Sequence, residues 1–291
     1  MADYIVRYGA MRLLGVFTAS GGHDYGRGAS VITRTNRGLE VGEVLREAEE
    51  DAVATLDDPC EGQIVREMTA EDKIEAQRIR QMAGDEIVTC QKYIRNLGLQ
   101  MNLIEVEHIY GGERIIVYYL AEQRVDFREL VRQLAAEFQT RVEMRQIGVR
   151  DEAKLLADYA DCGKPVCCNN HLVQMPPVSM KMAKLQKATL DPSKISGRCG
   201  RLKCCLRYEY DTYIQIRKEL PRIGSLVMTP EGSGKVIGQE IISEQVTVIT
   251  EDRRRVPFSA ADVRTLTEEE KQRYRDQTPQ RADENDNSDD D

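Results

Sequence analysis

A chain of 291 residues with 41% hydrophobic side chains has apolar mass for two modest domains or one elaborate one, which excludes a disordered protein. No stretch approaches the ~18 apolar residues of a membrane span, and the opening MADYIVRYGAMRLL lacks the apolar run of a secretory signal, so a cytoplasmic protein is expected. With no Trp and four Phe the core must be largely aliphatic, and the net charge of -8 is unevenly spread.

Residues 1–65 read as a β-rich N-terminal region. YIVRY and RLLGVF, then SVITRT, a turn at Asn36-Arg37-Gly38 and LEVGEVLRE predict short strands forming a small barrel or curled sheet, closed by the loop LDDPCEG. Residues 66–160 read as a helix followed by an α+β region. Thr69 and Asp72 make a capping box for a helix that runs to about Leu97, with Gly98 as its stop. NLIEVEHIY and RIIVYYLA around Gly111-Gly112 predict a hairpin. DFRELVRQLAAEFQ places Phe127, Leu130, Val131, Leu134 and Phe138 on one helix face, and RVEMRQIGV follows as a strand.

Residues 161–222 form a cysteine-rich basic segment with helices expected at about 178–189 and 201–219. Residues 223–265 return to strands (SLVMTP, KVIGQEII, QVTVIT, RRVPF), again in the manner of a small barrel. Residues 266–291 are an acidic tail, expected to be disordered, with six acids and no base over 283–291. The fold class that follows is α+β: small β-rich N- and C-terminal regions flanking a mixed α/β centre with a cysteine-rich segment.

That segment holds the chemistry. Six of the eight cysteines fall in two matched triplets, DCGKPVCC with Cys162, Cys167 and Cys168, and RCGRLKCC with Cys199, Cys204 and Cys205, 37 positions apart. A reducing compartment disfavours structural disulfides, which points such a cluster to metal binding or catalysis. Thiolates are soft ligands that select zinc or iron–sulfur clusters, and Gly163 or Gly200 could bend the first thiol towards the later pair. C-x4-C lies at the outer limit of structural zinc spacing and no C-x2-C is present. Six thiols exceed one four-ligand site and fall short of two, so either some are structural or a second chain completes a second centre, a shortfall that hints at a complex. Redox-switch thiols and small buried hydrophobes are the competing readings; the second is taken for isolated Cys60 and Cys90. His171 is placed to be a ligand, but a hydrogen-bonded histidine is the simpler state.

Between Cys162 and Arg207 nine bases (Lys164, Lys181, Lys184, Lys187, Lys194, Arg198, Arg201, Lys203, Arg207) face one acid, Asp191. A [4Fe-4S] core on four thiolates carries a net charge of about 2-, which these cations would offset. Zinc on four thiolates carries the same charge, so charge does not choose between the metals. The same nine residues could instead contact RNA or another anion, or form a solvated helix face.

Enzyme signatures fail. Glu231-Gly232-Ser233-Gly234-Lys235 has Thr229 and Val236 where a phosphate loop needs Gly and Ser/Thr, and reads as a hairpin turn. Gly26-x-Gly28 lacks a third glycine, and three scattered histidines support no Cys/His nucleophile pair. No catalytic constellation emerges from these motifs.

The blocks CGKPVCC, PPVSMKMAKLQKATLDPSKISGRCGRLKCCLRYEYDTY and IGVRDEAKLL, with RGLEVGEV and PRIGSLVMTPEGSGKV, strongly resemble the RicT (YaaT) family over about residues 3–265. Its members share the C-terminal domain named for a yeast polymerase-alpha suppressor protein. Lys164 stands where that family usually has Arg. The resemblance implies a cytoplasmic, non-catalytic subunit of a small complex carrying [4Fe-4S] clusters. In Gram-positive relatives that complex assists the endoribonuclease RNase Y in mRNA maturation, and through it competence, biofilm formation and sporulation. The implied cluster ligands come from Cys162, Cys167, Cys168, Cys199, Cys204 and Cys205. The alternative is a structural zinc-binding, nucleic-acid-binding module.

Overall fold

The computed structural model describes residues 2–56, 59–157, 159–172 and 176–277. The chain divides into two compact units, one of residues 1–175 with 196–201, the other of 176–195 with 202–291.

The first unit opens with β1 (Asp3–Tyr8), β2 (Leu13–Ala19), β3 (Ser30–Thr35), β4 (Gly38–Glu47), a single turn α1 (Glu50–Val53) and β5 (Cys60–Glu67). These strands close into a barrel in the order β1-β2-β5-β3-β4, with β4 returning to β1. Tyr4, Val6, Phe17, Val31, Val44 and Ile64 fill it. The closing segment is a strand where a loop was expected: CEGQIVRE buries only Ile64 completely, so it carries little strand signal, yet it pairs in parallel with β2. Glycine makes that pairing fit. A Cβ on Gly62 would lie 2.5 Å from the Phe17 ring, and one on Gly15 would lie 2.7 Å from it. Cys60 is only partly buried at the barrel edge, whereas Cys90 is fully buried as expected.

The same unit continues with α2 (Ala70–Asn96), β6 (Asn102–His108), β7 (Arg114–Leu120), α3 (Arg128–Phe138), β8 (Arg141–Gln146), α4 (Val149–Leu156) and a single-turn α5 (Cys167–Asn170). β6 and β7 are an antiparallel hairpin, and α3 crosses over to bring β8 parallel to β7. β7 reads RIIVYYL and is buried on both faces. Ile115 and Val117 pack with Cys90, Ile94, Leu130 and Leu134 beneath α2 and α3. Ile116 and Tyr118 face the other way, into a cluster that includes Met11, with Leu13 of the barrel packed against it. Barrel and sheet therefore share one core.

A buried polar knot lies on that shared face. The Arg37 guanidinium donates to Glu40 at 2.9 Å and to Glu107 at 2.7 Å, and the Tyr118 hydroxyl donates to Glu107 at 2.7 Å. The Ala10 amide reaches the second oxygen of Glu107 at 2.7 Å. Burial pushes the Glu40 carboxyl up, opposed by Arg37 and the Thr35 hydroxyl.

The second unit holds α6 (Met180–Leu185), α7 (Pro192–Ile195), α8 (Cys204–Glu219), β9 (Leu226–Thr229), β10 (Gly232–Glu240), β11 (Gln245–Thr250), β12 (Arg255–Ser259), β13 (Arg264–Thr265) and α9 (Glu268–Gln277). Its strands form one five-stranded antiparallel sheet, β12-β11-β10-β9-β13, rather than a second barrel. Val227, Val236, Val246 and Val248 are its core, with Tyr213 and Ile216 of α8 packed against them. α6 is shorter than its pattern predicts because Lys187 turns left-handed at φ 50°. The GSGK stretch opens β10 directly after its turn; a Cβ on Gly234 would lie 2.5 Å from the Ile249 carbonyl, so this glycine serves close strand approach. α9 lies within the stretch expected to be a disordered tail; residues 278–291 of that tail lie outside the described residues. No helix among the described residues is long and apolar enough to cross a membrane.

Candidate functional site

The two cysteine triplets are built on the same local structure. In the first, the Ala160 amide donates to the Lys164 carbonyl at 2.8 Å and the Gly163 amide to the Ala160 carbonyl at 2.9 Å. In the second, Gly197 to Arg201 and Gly200 to Gly197 repeat those bonds at 2.8 and 2.9 Å. Each turn is carried by a left-handed glycine, Gly163 at φ 76° and Gly200 at φ 72°. The chain then enters a helix through Val166 (φ -57°, ψ 130°) or Lys203 (φ -55°, ψ 127°), neither of which caps with its side chain. In both copies the adjacent cysteines, Cys167-Cys168 and Cys204-Cys205, are the first two helical residues. The 37-residue offset seen in the sequence is thus also an offset between matching hydrogen bonds.

The copies differ beyond that. α5 stops after one turn, whereas α8 continues for 16 residues. Cys162 is exposed and the other five thiols are partly exposed. α4 packs against α5 and sets a half-buried Lys154 near Cys168. Burial pushes the Lys154 ammonium down, Asp151 and Cys168 oppose that, and Arg12 adds to it. Arg12 also donates to the Asn169 carbonyl at 3.1 Å, while the buried Asn169 Oδ1 has no hydrogen-bond partner. In the second copy burial pushes the Cys205 thiol up, helped by Cys204 and Glu209 and opposed by its own amide and Lys203. Lys154 thus lies beside Cys168 in the first copy, whereas in the second Cys205 has both Glu209 and Lys203 as charged neighbours.

The donor set suits a soft metal or an iron–sulfur core in chemistry and accessibility. Among the described residues, no three His, Cys, Asp or Glu side chains of the single chain gather into a group that could hold an ion. The matched turns present thiols without closing a ligand shell.

The nine bases separate. Lys187, Arg198 and Arg207 pair with Glu240 (2.7 Å), Asp161 (3.2 Å) and Asp211 (2.8 Å). Lys164 and Arg201 sit exposed at equivalent places in the two turns, Lys203 leads into α8, and Lys194 is exposed on α7. Lys181 and Lys184 line a cleft of the second unit together with Arg217, Lys218 and Arg222, three cations that lie beyond the window in which the sequence looked basic. Lys154 and Arg12 were likewise invisible as neighbours of the first triplet, because only the packing of α4 on α5 and a long-range bond to Asn169 bring them there.

Two family models match the chain. "PSP1 C-terminal conserved region" covers residues 62–147, from β5 through β8, and "PSP1-like protein, third domain" covers 177–220, the α6–α8 segment. Stage 0 sporulation protein YaaT of Bacillus subtilis (strain 168) is 40% identical over 230 residues, 78% of this chain and 82% of that protein. An uncharacterized protein of Schizosaccharomyces pombe is 39% identical over 57 residues, 20% of this chain and 8% of its own length. No solved structure matches. The match to YaaT runs through most of both proteins, so this chain belongs to the RicT (YaaT) family of PSP1-domain proteins.

Proposed function

We propose that this chain is a non-catalytic, iron–sulfur-binding regulatory subunit of a cytoplasmic complex that modulates RNA processing of the RNase Y type, and through it development. The observation that carries the reading is the repeated turn-and-helix unit, which offers Cys162, Cys167 and Cys168 in one copy and Cys199, Cys204 and Cys205 in the other. The ligands of a [4Fe-4S] cluster, which would supply a delocalised redox centre of tunable potential, would be drawn from those six thiols. Basic residues on and beside the turns offset its negative charge. The open ligand shell supports completion by other subunits, and the printed name of the Bacillus subtilis relative supports a place in sporulation control.

Metal and acid-labile sulfide analysis of anaerobically purified protein, alone and with copurifying subunits, tests this. Iron and sulfide in matching amounts are expected, with broad visible absorbance, both lost in Cys167→Ser and Cys204→Ser. Stoichiometric zinc without sulfide would replace the reading by a structural zinc-binding, nucleic-acid-binding module. Metal-free protein in both preparations would leave the thiols to redox chemistry or to packing.

A further inference from the structure

We propose that the cleft between α6 and the C-terminal half of α8 binds single-stranded RNA. It has a volume of about 690 Å³ and is lined by Lys181, Lys184, Arg217, Lys218 and Arg222, with no carboxylate in its wall. Nearby Lys187 and Arg207 are neutralised by Glu240 and Asp211. Among the described residues none of the five cleft cations has such a partner. Five cations around one concavity, unpaired among the described residues, repel each other and focus a positive field, in a protein whose net charge is -8. An anion of several charges relieves that repulsion.

The rest of the lining selects which anion. Leu185, Ile214, Leu220 and Ile223 add apolar carbon to it, and Tyr210 adds an aromatic ring. Gln239 donates to the Pro221 carbonyl at 2.8 Å and so pins the segment that carries Arg222. Phosphates beside unstacked bases match both features, the phosphates meeting lysine and arginine and the bases meeting tyrosine and aliphatic carbon. An acidic peptide satisfies only the cations. A duplex turns its bases inward and leaves the apolar and aromatic lining unused.

This inference deepens the RNA part of the proposed function and rests on it for the choice of RNA, but it uses none of the six cysteines. Its test is fluorescence anisotropy of a labelled oligouridylate of about 12 nucleotides with the full chain, across about 50 to 200 mM salt. Lys181→Ala with Lys184→Ala, and Arg217→Ala with Lys218→Ala, are each expected to weaken binding at least tenfold. Each pair should also flatten the log–log salt slope by about 1.4, from ~0.7 per single-strand phosphate contact. All four side chains are exposed, so the fold should persist, checked by an unchanged melting temperature. Lys73→Ala with Lys92→Ala removes the same charge from exposed positions on α2 and should bind as the parent does. Cys167→Ser and Cys204→Ser should retain binding even where they lose metal, which separates failure of the cleft from failure of the cluster. Equal binding of the cleft variants overturns the proposal. So does competition by oligoglutamate as strong as by RNA, which would make the partner an acidic protein, or tighter binding of duplex RNA or of DNA of the same sequence.

Discussion

Gly163 and Gly200 show how little of a side chain a site can need. Both sit at positive φ, and a Cβ added at either would meet nothing within 4 Å. The cost of replacing them is therefore conformational, not steric, and a non-glycine residue in the left-handed region costs about 1–2 kcal/mol. Gly163→Ala and Gly200→Ala should each destabilise the first unit by roughly 1 kcal/mol, and the asparagine variants by less, because Asn tolerates that region better. Denaturant midpoints read this directly. If Gly163→Ala is neutral while Gly200→Ala is not, the two turns are not equivalent in solution, and the argument from their repetition fails with them.

Among the elements, α2 is anchored by one carboxylate. Asp72 Oδ2 accepts from the Thr69 amide at 2.8 Å, the Thr69 hydroxyl at 2.9 Å and Arg66 Nη1, and its Oδ1 from the Tyr110 hydroxyl at 2.7 Å and Arg66 Nη2 at 2.9 Å. The Arg66 hydrogen bonds, then Tyr110, then the Thr69 amide hold its carboxyl well below the usual carboxylate range. Its folded pKa is thus depressed, so its contribution is fully present above the ordinary value of 3.8 and fades as pH falls below that value towards the folded one. Asp72→Asn should lower the melting temperature most at neutral pH, with the gap to the parent closing below about pH 4. A gap of constant size down to pH 3 would show that the charge of Asp72 is not what anchors the helix. This element was legible because capping is local: Thr69, Asp72 and Gly98 mark both ends of α2 without reference to anything distant. The hairpin of β6 and β7 and the apolar face of α3 were legible for the same reason. β5 was not, since its parallel partner β2 lies more than forty residues earlier and only Ile64 declares a buried face. The six cysteines were legible as a pattern, while the structure around them came from bonds no spacing announces, such as Arg12 to Asn169.

At the scale of the whole molecule the sequence suggested five segments, and the structure has two compact units. What joins the N-terminal barrel to the sheet after it is partly apolar and partly the knot of Arg37, Glu40, Glu107 and Tyr118. Arg37 is 8% exposed and Glu40 2%, so solvent does little to replace a lost partner there. The Arg37 Nε is already buried without an acceptor. Removing one member of a buried ion pair typically costs about 3–5 kcal/mol because the other charge stays buried. Glu107→Ala takes from Arg37 one of its two carboxylates, leaving Glu40, and takes the acceptor from the Tyr118 hydroxyl, so it should cost about 3 kcal/mol, the lower end of that range, whereas Tyr118→Phe removes the bond to Glu107 and the longer one from Arg37 and should cost about 1–2 kcal/mol. Calorimetry of the intact chain makes this a test of organisation as well as of energy. With barrel and sheet as one cooperative body, Glu107→Ala should shift a single transition downward and leave that of the second unit in place. A Glu107→Ala profile in which the barrel and the sheet melt as two separate steps would mean that the knot, and not the shared apolar face, is what makes them one unit.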